Sequence, residues 1–260
     1  MPEQSYEAIK SLLRSSQAGE LRRGLQLVRQ EIARVGSREA RALFEMVAAL
    51  FYIDPLDRPD LVPILDEAVS LVVGFGEWVI PVLLEDLEYG DLKSQIAIGH
   101  ALGRVGADAI RPLLAEYAAS ADSGRRTFIL YALGKIKSPQ IAAALPLALE
   151  AAGSPDRELR DTATRALGKF AESIPPVQLS AEHRQAILER LQANLADASP
   201  GIRAKAVRSW GKLAKFGHLD PAQHERLRAV CRRLLGKDEQ FEWDRAYVVR
   251  REAEEALLVA

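Results

Sequence analysis

The stretch DRELRDTATRALGKF, residues 156–170, decides the fold of this chain of 260 residues. Its apolar side chains recur at intervals of three and four residues, which places them on one face of an α-helix. They are Leu159, Ala163, Ala166, Leu167 and Phe170. Asp156 stands before the stripe, at the position from which a carboxylate accepts hydrogen bonds from the free N–H groups of a helix N-terminus. The stretch therefore predicts an amphipathic helix that begins after an aspartate cap.

Similar stretches recur along the chain at a regular spacing. Residues 91–103 and 122–134 align with residues 156–168 without a gap, and residues 199–211 and 246–258 align more loosely. A second amphipathic segment precedes each copy. The repeating unit is thus helix, short turn, helix, with a period of roughly 30 to 43 residues. One helical pair cannot bury its own apolar stripe, but stacked copies can, and this explains the recurrence.

Two further features repeat with the unit. The cap position in the other copies is held by Asp91, Asp122 and Ser199. Three of the preceding helices carry a proline at matching positions, namely Pro81, Pro112 and Pro146. A proline there either kinks the helix or sets its first turn.

The pattern D-x-x-x-R-x-x-A-x-x-A-L-G, complete from Asp156 to Gly168, resembles the HEAT-like repeats of the kind also found in phycobilin lyases. The resemblance is clearest over residues 77–217. It implies an all-α fold, a right-handed α-α superhelix in the form of a HEAT-like solenoid of about seven helical pairs. It also implies a ladder of Asp and Arg contacts between neighbouring repeats. Gln95 replaces the arginine in one copy and Ser199 the aspartate in another, so the pattern does not extend the ladder to those positions.

The organisation of the chain predicts a single domain. Regularity breaks at residues 51–61, 173–183 and 236–249, which we interpret as longer loops between or within repeats. No flexible Gly/Ser linker separates two parts of the sequence. The prediction is one continuous HEAT-like α-solenoid domain over residues 1–260.

The composition agrees with a helical protein of the cytoplasm. Hydrophobic residues make up 48% of the chain, only 6% is aromatic, and 27% is charged. The single cysteine, Cys231, excludes an internal disulfide, so we expect a reducing compartment and a cytoplasmic location. The N-terminus lacks the apolar core of a signal peptide, and charge, glycine and proline interrupt the most apolar run. We expect no membrane association.

Motifs for catalysis are missing from the sequence. The four histidines, His100, His183, His218 and His224, form no HExxH pattern and no set of ligands at metal-binding spacing. There is no glycine-rich phosphate loop and no nucleophile elbow, and Cys231 has no partner histidine that the sequence places beside it. We therefore expect no catalytic residue, no cofactor and no metal, and an enzyme is the minority interpretation.

The candidate site is a ridge of basic residues on the second helices. Aligned copies place His100, Tyr131, Arg165 and Arg208 at one level. One turn further along lie Arg104, Lys135, Lys169 and Lys212. Second helices line the concave side in the family that this chain resembles, so these eight residues are the predicted partner-binding ridge. A solvated face without function is the alternative that the pattern leaves open.

The predicted function is a non-catalytic protein–protein interaction scaffold or adaptor that binds an acidic segment of another protein. One alternative is a bilin-lyase-like subunit or chaperone, and another is a nucleic-acid-binding HEAT-like protein similar to the alkylpurine DNA glycosylases. Residues 1–90 carry 9 basic and 15 acidic side chains, which disfavours nucleic acid. The apolar residues Leu257, Leu258 and Val259 are the predicted contact of a homodimer through the C-terminal repeat.

Overall fold

The computed structural model describes residues 2–260, with the exception of the side chains of residues 2–5, 88 and 89. The chain forms two compact units, one up to Ala115 and the other from Glu116 onward. The α-helices within the described residues are α1 (Pro2–Leu13), α2 (Ala18–Val35), α3 (Arg41–Ala48), α4 (Val62–Leu71), α5 (Val79–Tyr89), α6 (Leu92–Val105), α7 (Ile110–Ala119), α8 (Ser123–Leu133), α9 (Leu145–Ala151), α10 (Arg157–Ala171), α11 (Ala181–Asn194), α12 (Pro200–Lys215), α13 (Pro221–Leu234) and α14 (Tyr247–Leu257).

The fold is all-α. Across residues 2–260 there is no β-strand, and the one isolated bridge pairs Leu235 with Trp243. The helices are joined by turns or by 3-10 segments such as Pro139–Ala144 and Pro176–Gln178. The prediction of an all-α, HEAT-like helical-repeat fold is confirmed.

In the first unit the second helix of each pair packs on the second helix of the next. Helix α2 contacts α4, and α4 contacts α6. An aromatic cluster fills the core beside them: Phe44 lies edge-to-face against Phe75 and Trp78, with ring centroids 5.5 Å apart in both pairs. Leu21 and Leu43 are fully buried. Burial of these large side chains is the main stabilising term of the unit.

In the second unit the same stacking joins α8 to α10, α10 to α12, and α12 to α14. The stripe predicted from residues 156–170 faces the core, since Leu167 is fully buried and Phe170 is 1% exposed. Trp210 of α12 is equally buried. The stripe was therefore assigned to the correct face, and each second helix is covered by its neighbours in the stack.

The predicted caps are confirmed in three copies. Asp91, Asp122 and Asp156 each accept a hydrogen bond from the backbone N–H three residues later, at 2.8, 2.6 and 2.8 Å. The prediction is wrong for Ser199, whose side chain makes no capping hydrogen bond. The carboxylate of Asp197 accepts the N–H of Ser199 instead, at 2.8 Å. This bond shapes the turn before α12 but does not cap the helix, because the N–H of Ser199 precedes the N–H groups of the first helical turn.

The prolines set the first turns of their helices. Pro81, Pro112 and Pro146 lie at the second or third residue of α5, α7 and α9. A proline lacks an N–H, but the N–H groups of the first turn have no partner within the helix in any case. Of the two roles open to these prolines, the structure shows helix initiation.

Two of the recurring glycines allow helices to approach closely. A Cβ on Gly168 would lie 2.7 Å from the Cα of Ser209, and a Cβ on Gly211 would lie 3.2 Å from the Cβ of Ala256. Gly134, at the same step of another copy, is different: a Cβ there would meet only carbonyl oxygens of its own helix end, at 3.4 Å. Gly168 is therefore a packing requirement between α10 and α12, and Gly211 allows a close contact between α12 and α14.

An arginine–aspartate ladder runs through the second unit. The Nε of Arg160 donates to Asp197 at 2.6 Å, and the Nε of Arg203 donates to Asp244 at 2.7 Å. Both carboxylates are 8% exposed. Asp197 and Asp244 lie in the turns before α12 and α14, and each is two residues ahead of the N-cap residue of that helix. The ladder thus passes through the copy in which Ser199 replaces the aspartate.

Candidate interaction surface

A cleft lies between α8 and α10 in the second unit, and we call it the Arg165 cleft. Its lining residues are Leu130, Tyr131, Gly134, Lys135, Thr162, Arg165, Ala166 and Lys169. Four of the eight residues of the predicted ridge are among them. Three of the four carry a cationic group, and no carboxylate from the described residues lines the cleft. The surface is therefore suited to an anion.

Lys135 lies among the cationic groups of the cleft. Its Nζ is 4.6 Å from the centroid of the Tyr131 ring, a cation–π contact. Burial, together with the charges of Arg165, Lys169 and Lys137, lowers the pKa of Lys135 to about 8. Burial disfavours the charged form of an ammonium group, and the neighbouring cations shift its pKa in the same direction.

Arg165 extends from α10 into solvent. Its side chain forms no ion pair with any carboxylate in the described part of the chain. The charge of Arg165 also acts on the phenol of Tyr131, where it opposes the rise in pKa that burial causes. Its guanidinium is available for an external partner.

Glu172 neutralises part of the charge beside the cleft. Its carboxylate accepts hydrogen bonds from Lys137 at 2.7 Å and Lys169 at 3.2 Å, and it also pairs with Lys212. Burial alone would raise the pKa of Glu172, but the bonds from Lys137 and Lys212 outweigh it and hold the pKa at about 2. The side chain of Glu172 is 13% exposed, because Lys169 of α10, Lys137 of the turn after α8 and Lys212 of α12 converge on it.

Two ridge residues on α12 support the fold. The guanidinium of Arg208 pairs with the buried carboxylate of Glu252, and Lys212 is 18% exposed in its pair with Glu172. Residues of a partner-binding ridge, or of a solvated face, are expected to face solvent without a carboxylate of the fold as partner. That expectation needs correction for Arg208 and Lys212, because each neutralises a carboxylate on a neighbouring element.

The remaining two ridge residues belong to the first unit. Arg104 donates to Ser70 at 2.6 Å and to Asp66 at 2.8 Å. His100 is half-buried and lines an apolar groove with residues of α4 and α6, among them Val62, Val69 and Ile96. Arg104 is thus part of an ion pair, and His100 lies in an apolar groove.

The sequence pattern identified Tyr131, Lys135, Arg165 and Lys169, which the fold brings into one cleft. It missed Thr162, which lines the cleft, and the carboxylate of Glu172. The only available signal for Glu172 was its position three residues after Lys169, the spacing of a helical ion pair. The role of the ridge in partner binding stays a prediction.

A second exposed surface is the loop between α13 and α14. Phe241, Trp243 and Tyr247 are 74%, 59% and 69% exposed. The loop is held by the bridge from Leu235 to Trp243, and Phe241 has a left-handed backbone with φ of 53°. Exposed side chains of both signs flank the aromatic rings, so this loop does not select for acidic partners.

The single cysteine and the placement of the His, Asp and Glu side chains bear on catalysis and metal binding. The thiol of Cys231 is fully buried, and burial raises its pKa to about 12, so it is a packed thiol and a poor nucleophile. No group of three or more His, Cys, Asp or Glu side chains is placed to hold a metal ion in the described part of the chain. None of the described helices has both the length and the apolar character needed to cross a bilayer.

Comparison with known proteins agrees with the repeat pattern. The family model for HEAT repeats matches residues 80–168, which confirms the resemblance for that stretch. The molecule is an all-α protein of HEAT-like helical repeats. No curated protein matches the chain in sequence.

Several solved structures share the fold. A chain in the complex of CpcE and CpcF of phycocyanin lyase from Nostoc sp. PCC7120 is 23% identical with a TM-score of 0.54, covering 68% of this chain and 97% of that one. The archaeal HEAT-like repeats protein from Thermococcus onnurineus NA1 is 17% identical with a TM-score of 0.52, covering 98% and 96%. A chain in the complex of Kap95p with RanGDP is 15% identical with a TM-score of 0.58, covering 93% of this chain and 36% of that one. These similarities establish the fold.

Proposed function

We propose that this protein is a non-catalytic interaction scaffold whose second unit binds an acidic segment of another protein at the Arg165 cleft. One observation carries the proposal. Lys135 and Arg165 share a cleft with no lining carboxylate from the described residues, while the nearby Glu172 is already shared by three lysines. The surface therefore has positive charge that an acidic ligand can neutralise.

The charge of the second unit supports an acidic partner. Residues 116–260 carry 23 Lys and Arg side chains against 19 Asp and Glu side chains. A cleft with low-dielectric walls concentrates the field of such charges and speeds the approach of an oppositely charged ligand. The ring of Tyr131 adds an apolar contact, which salt does not screen.

The fold supports a scaffold in a general way. HEAT-like folds are typical of proteins that bind other proteins on extended surfaces. Among the structures that share the fold, Kap95p binds RanGDP, and CpcE forms a complex with CpcF. These pairings belong to those proteins, and they support the class of function proposed for this chain.

The alternatives have weaker support. The similarity to the phycocyanin lyase complex is one of fold at 23% identity, and no observation in the described residues points to a bilin. A nucleic-acid binder is disfavoured by the acidic excess in residues 1–90.

A binding experiment with defined peptides tests the proposal. We expect the protein to bind a fluorescent peptide rich in Glu and Asp, and to bind it more weakly as salt is added. The double variant Lys135→Ser/Arg165→Ser should lose about tenfold in affinity or more, because each group contributes a charge-assisted contact. Lys169, Arg208 and Lys212 stay unchanged, since they pair with carboxylates of the fold.

The matched control is Arg232→Ser/Arg233→Ser, which removes two exposed cations of α13 in the same unit. It should retain the affinity of the parent within about twofold. Equal losses in both double variants would show that the net charge of the unit, and not the Arg165 cleft, binds the peptide. Lack of binding by the parent would refute the proposal.

Homodimer formation through the C-terminal repeat also remains a proposal. Leu258 is 85% exposed next to Leu257 and Val259, so an apolar edge is available for a second copy. Light scattering at increasing concentration tests it. A strict monomer, or a dimer that is unaffected by Leu258→Asp, would count against this contact.

A further inference from the structure

The groups that line the Arg165 cleft match a tetrahedral dianion better than a carboxylate. The guanidinium of Arg165 is a planar fork of N–H donors, and the ammonium group of Lys135 supplies further charged donors. Thr162 adds a hydroxyl group at the same cleft. A carboxylate has two oxygens, whereas a phosphate monoester presents three acceptor oxygens and up to two negative charges. The number of donors thus exceeds what one carboxylate can satisfy.

The charges around the Arg165 cleft also favour a dianion. Lys135, Lys137, Arg165, Lys169 and Lys212 act on one another electrostatically or through Glu172, and that carboxylate is the one anion of the group. A single acidic side chain would still leave the cleft with excess positive charge. A dianion beside Lys135 and Arg165 would neutralise both at once, and it would raise the lowered pKa of Lys135.

We propose that the Arg165 cleft binds the phosphate group of a phosphorylated serine or threonine within the acidic segment of the partner. This inference rests on the proposed function, because it assigns a ligand class to the same surface. Arg165 holds the phosphate with its paired N–H groups, and Lys135 neutralises the remaining charge. The ring of Tyr131 contacts the apolar part of the neighbouring peptide residue.

Three peptides of one acidic sequence test the proposal by fluorescence anisotropy. The central residue is serine, glutamate or phosphoserine. We expect the phosphoserine peptide to bind at least about tenfold more tightly than the glutamate peptide, because its phosphate engages the arginine fork as a doubly charged acceptor. The variant Arg165→Lys keeps the charge and loses the fork, so it should remove most of this preference. Arg232→Lys, in the same unit, should leave the preference unchanged.

The outcomes separate the two proposals. Equal affinity for the glutamate and phosphoserine peptides, or a preference that Arg165→Lys leaves intact, would overturn the phosphate site while the acidic-segment function stands. If none of the peptides binds, the proposed function fails and the phosphate site with it. A single-stranded oligonucleotide that binds as tightly as the phosphoserine peptide, and weakens equally with Arg165→Lys, would overturn the phosphopeptide proposal in favour of nucleic acid.

Discussion

The guanidinium of Arg208 in α12 donates two hydrogen bonds to the carboxylate of Glu252 in α14, whose side chain is 1% exposed. Burial opposes ionisation of Glu252, but the bonds from Arg208 and Arg251 lower its pKa. Removing Arg208 leaves a buried carboxylate with Arg251 as its remaining cation. We expect Arg208→Ser to lower the free energy of unfolding by about 2 to 4 kcal/mol, measured by chemical denaturation.

Two further variants make this prediction specific. Arg208→Met/Glu252→Met removes both charges and should recover most of the loss, because an apolar pair of similar volume replaces a buried ion pair at little cost. Arg165→Ser removes an exposed arginine and should change the stability by no more than about 0.5 kcal/mol. If Arg208→Ser were as harmless as Arg165→Ser, the buried pair would not contribute to stability.

Gly134 and Gly168 each follow an Ala-Leu pair, but their replacement by alanine should affect stability differently. Gly168→Ala places a methyl group against the backbone of Ser209, and overpacking of this kind costs about 1 to 3 kcal/mol. Gly134→Ala meets ordinary contacts and has a φ of −66°, so it should be neutral or slightly stabilising. Thermal unfolding of both variants tests the reason for the glycines. If close helix packing is the reason, only Gly168→Ala lowers the melting temperature. If both positions need the backbone freedom of glycine, both variants are destabilised.

Leu167 tests the core of the second unit. A charge at this fully buried position has no partner, so Leu167→Asp should unfold the protein or weaken it by more than about 4 kcal/mol. Val177→Asp, at a position that is 94% exposed, serves as the control and should keep the parent stability. Circular dichroism and urea titration report both. A well-folded Leu167→Asp protein would mean that the stripe does not form the core.

The pKa of Glu172 makes part of the stability dependent on pH. Its folded pKa is about 2 and its ordinary value is 4.5, so the ionised group stabilises the fold above pH 4.5, and this contribution is lost as the pH falls toward 2. Glu172→Gln mimics the protonated state. It should cost about 2 to 3 kcal/mol near pH 7, and the difference from the parent should shrink between pH 4.5 and pH 2. A difference that stays constant over this range would exclude ionic stabilisation by Glu172.

The contribution of Lys135 to the pH dependence of stability should have the opposite sign. Its folded pKa of about 8 lies below the ordinary 10.5, so the protonated group disfavours the fold, and stability rises as the pH increases from 8 toward 10.5. Replacement by an uncharged chain of similar length removes the cost of burying the charge and the repulsion from neighbouring cations. We expect Lys135→Met to stabilise the protein by about 1 kcal/mol at pH 7 and by less at pH 10. A variant that is less stable than the parent at both pH values would show that Tyr131 holds the ammonium group favourably.

The sequence by itself determined the repeating unit and its local details. The helical stripes, the aspartate caps of α6, α8 and α10, and the prolines in the first turns all depend on contacts within about one turn of helix. Such contacts connect residues three or four positions apart, and this spacing can be read directly from the amino-acid sequence. The same reasoning identified Lys135, Arg165 and Lys169 as one surface, because aligned copies stack with matching steps in register.

Only the tertiary structure decided which cations are free. Arg208 and Arg165 hold the same step of the repeat, yet Arg208 is paired with Glu252 and Arg165 forms no ion pair with a described residue. Glu252 and Asp197, the partners of Arg208 and Arg160, come from other repeats, more than 30 residues away, across turns of unequal length. A shift of one residue in such a turn rotates a side chain by about 100° around its helix. Long-range pairing therefore depends on the packed geometry of neighbouring helices, which the repeat pattern alone does not specify.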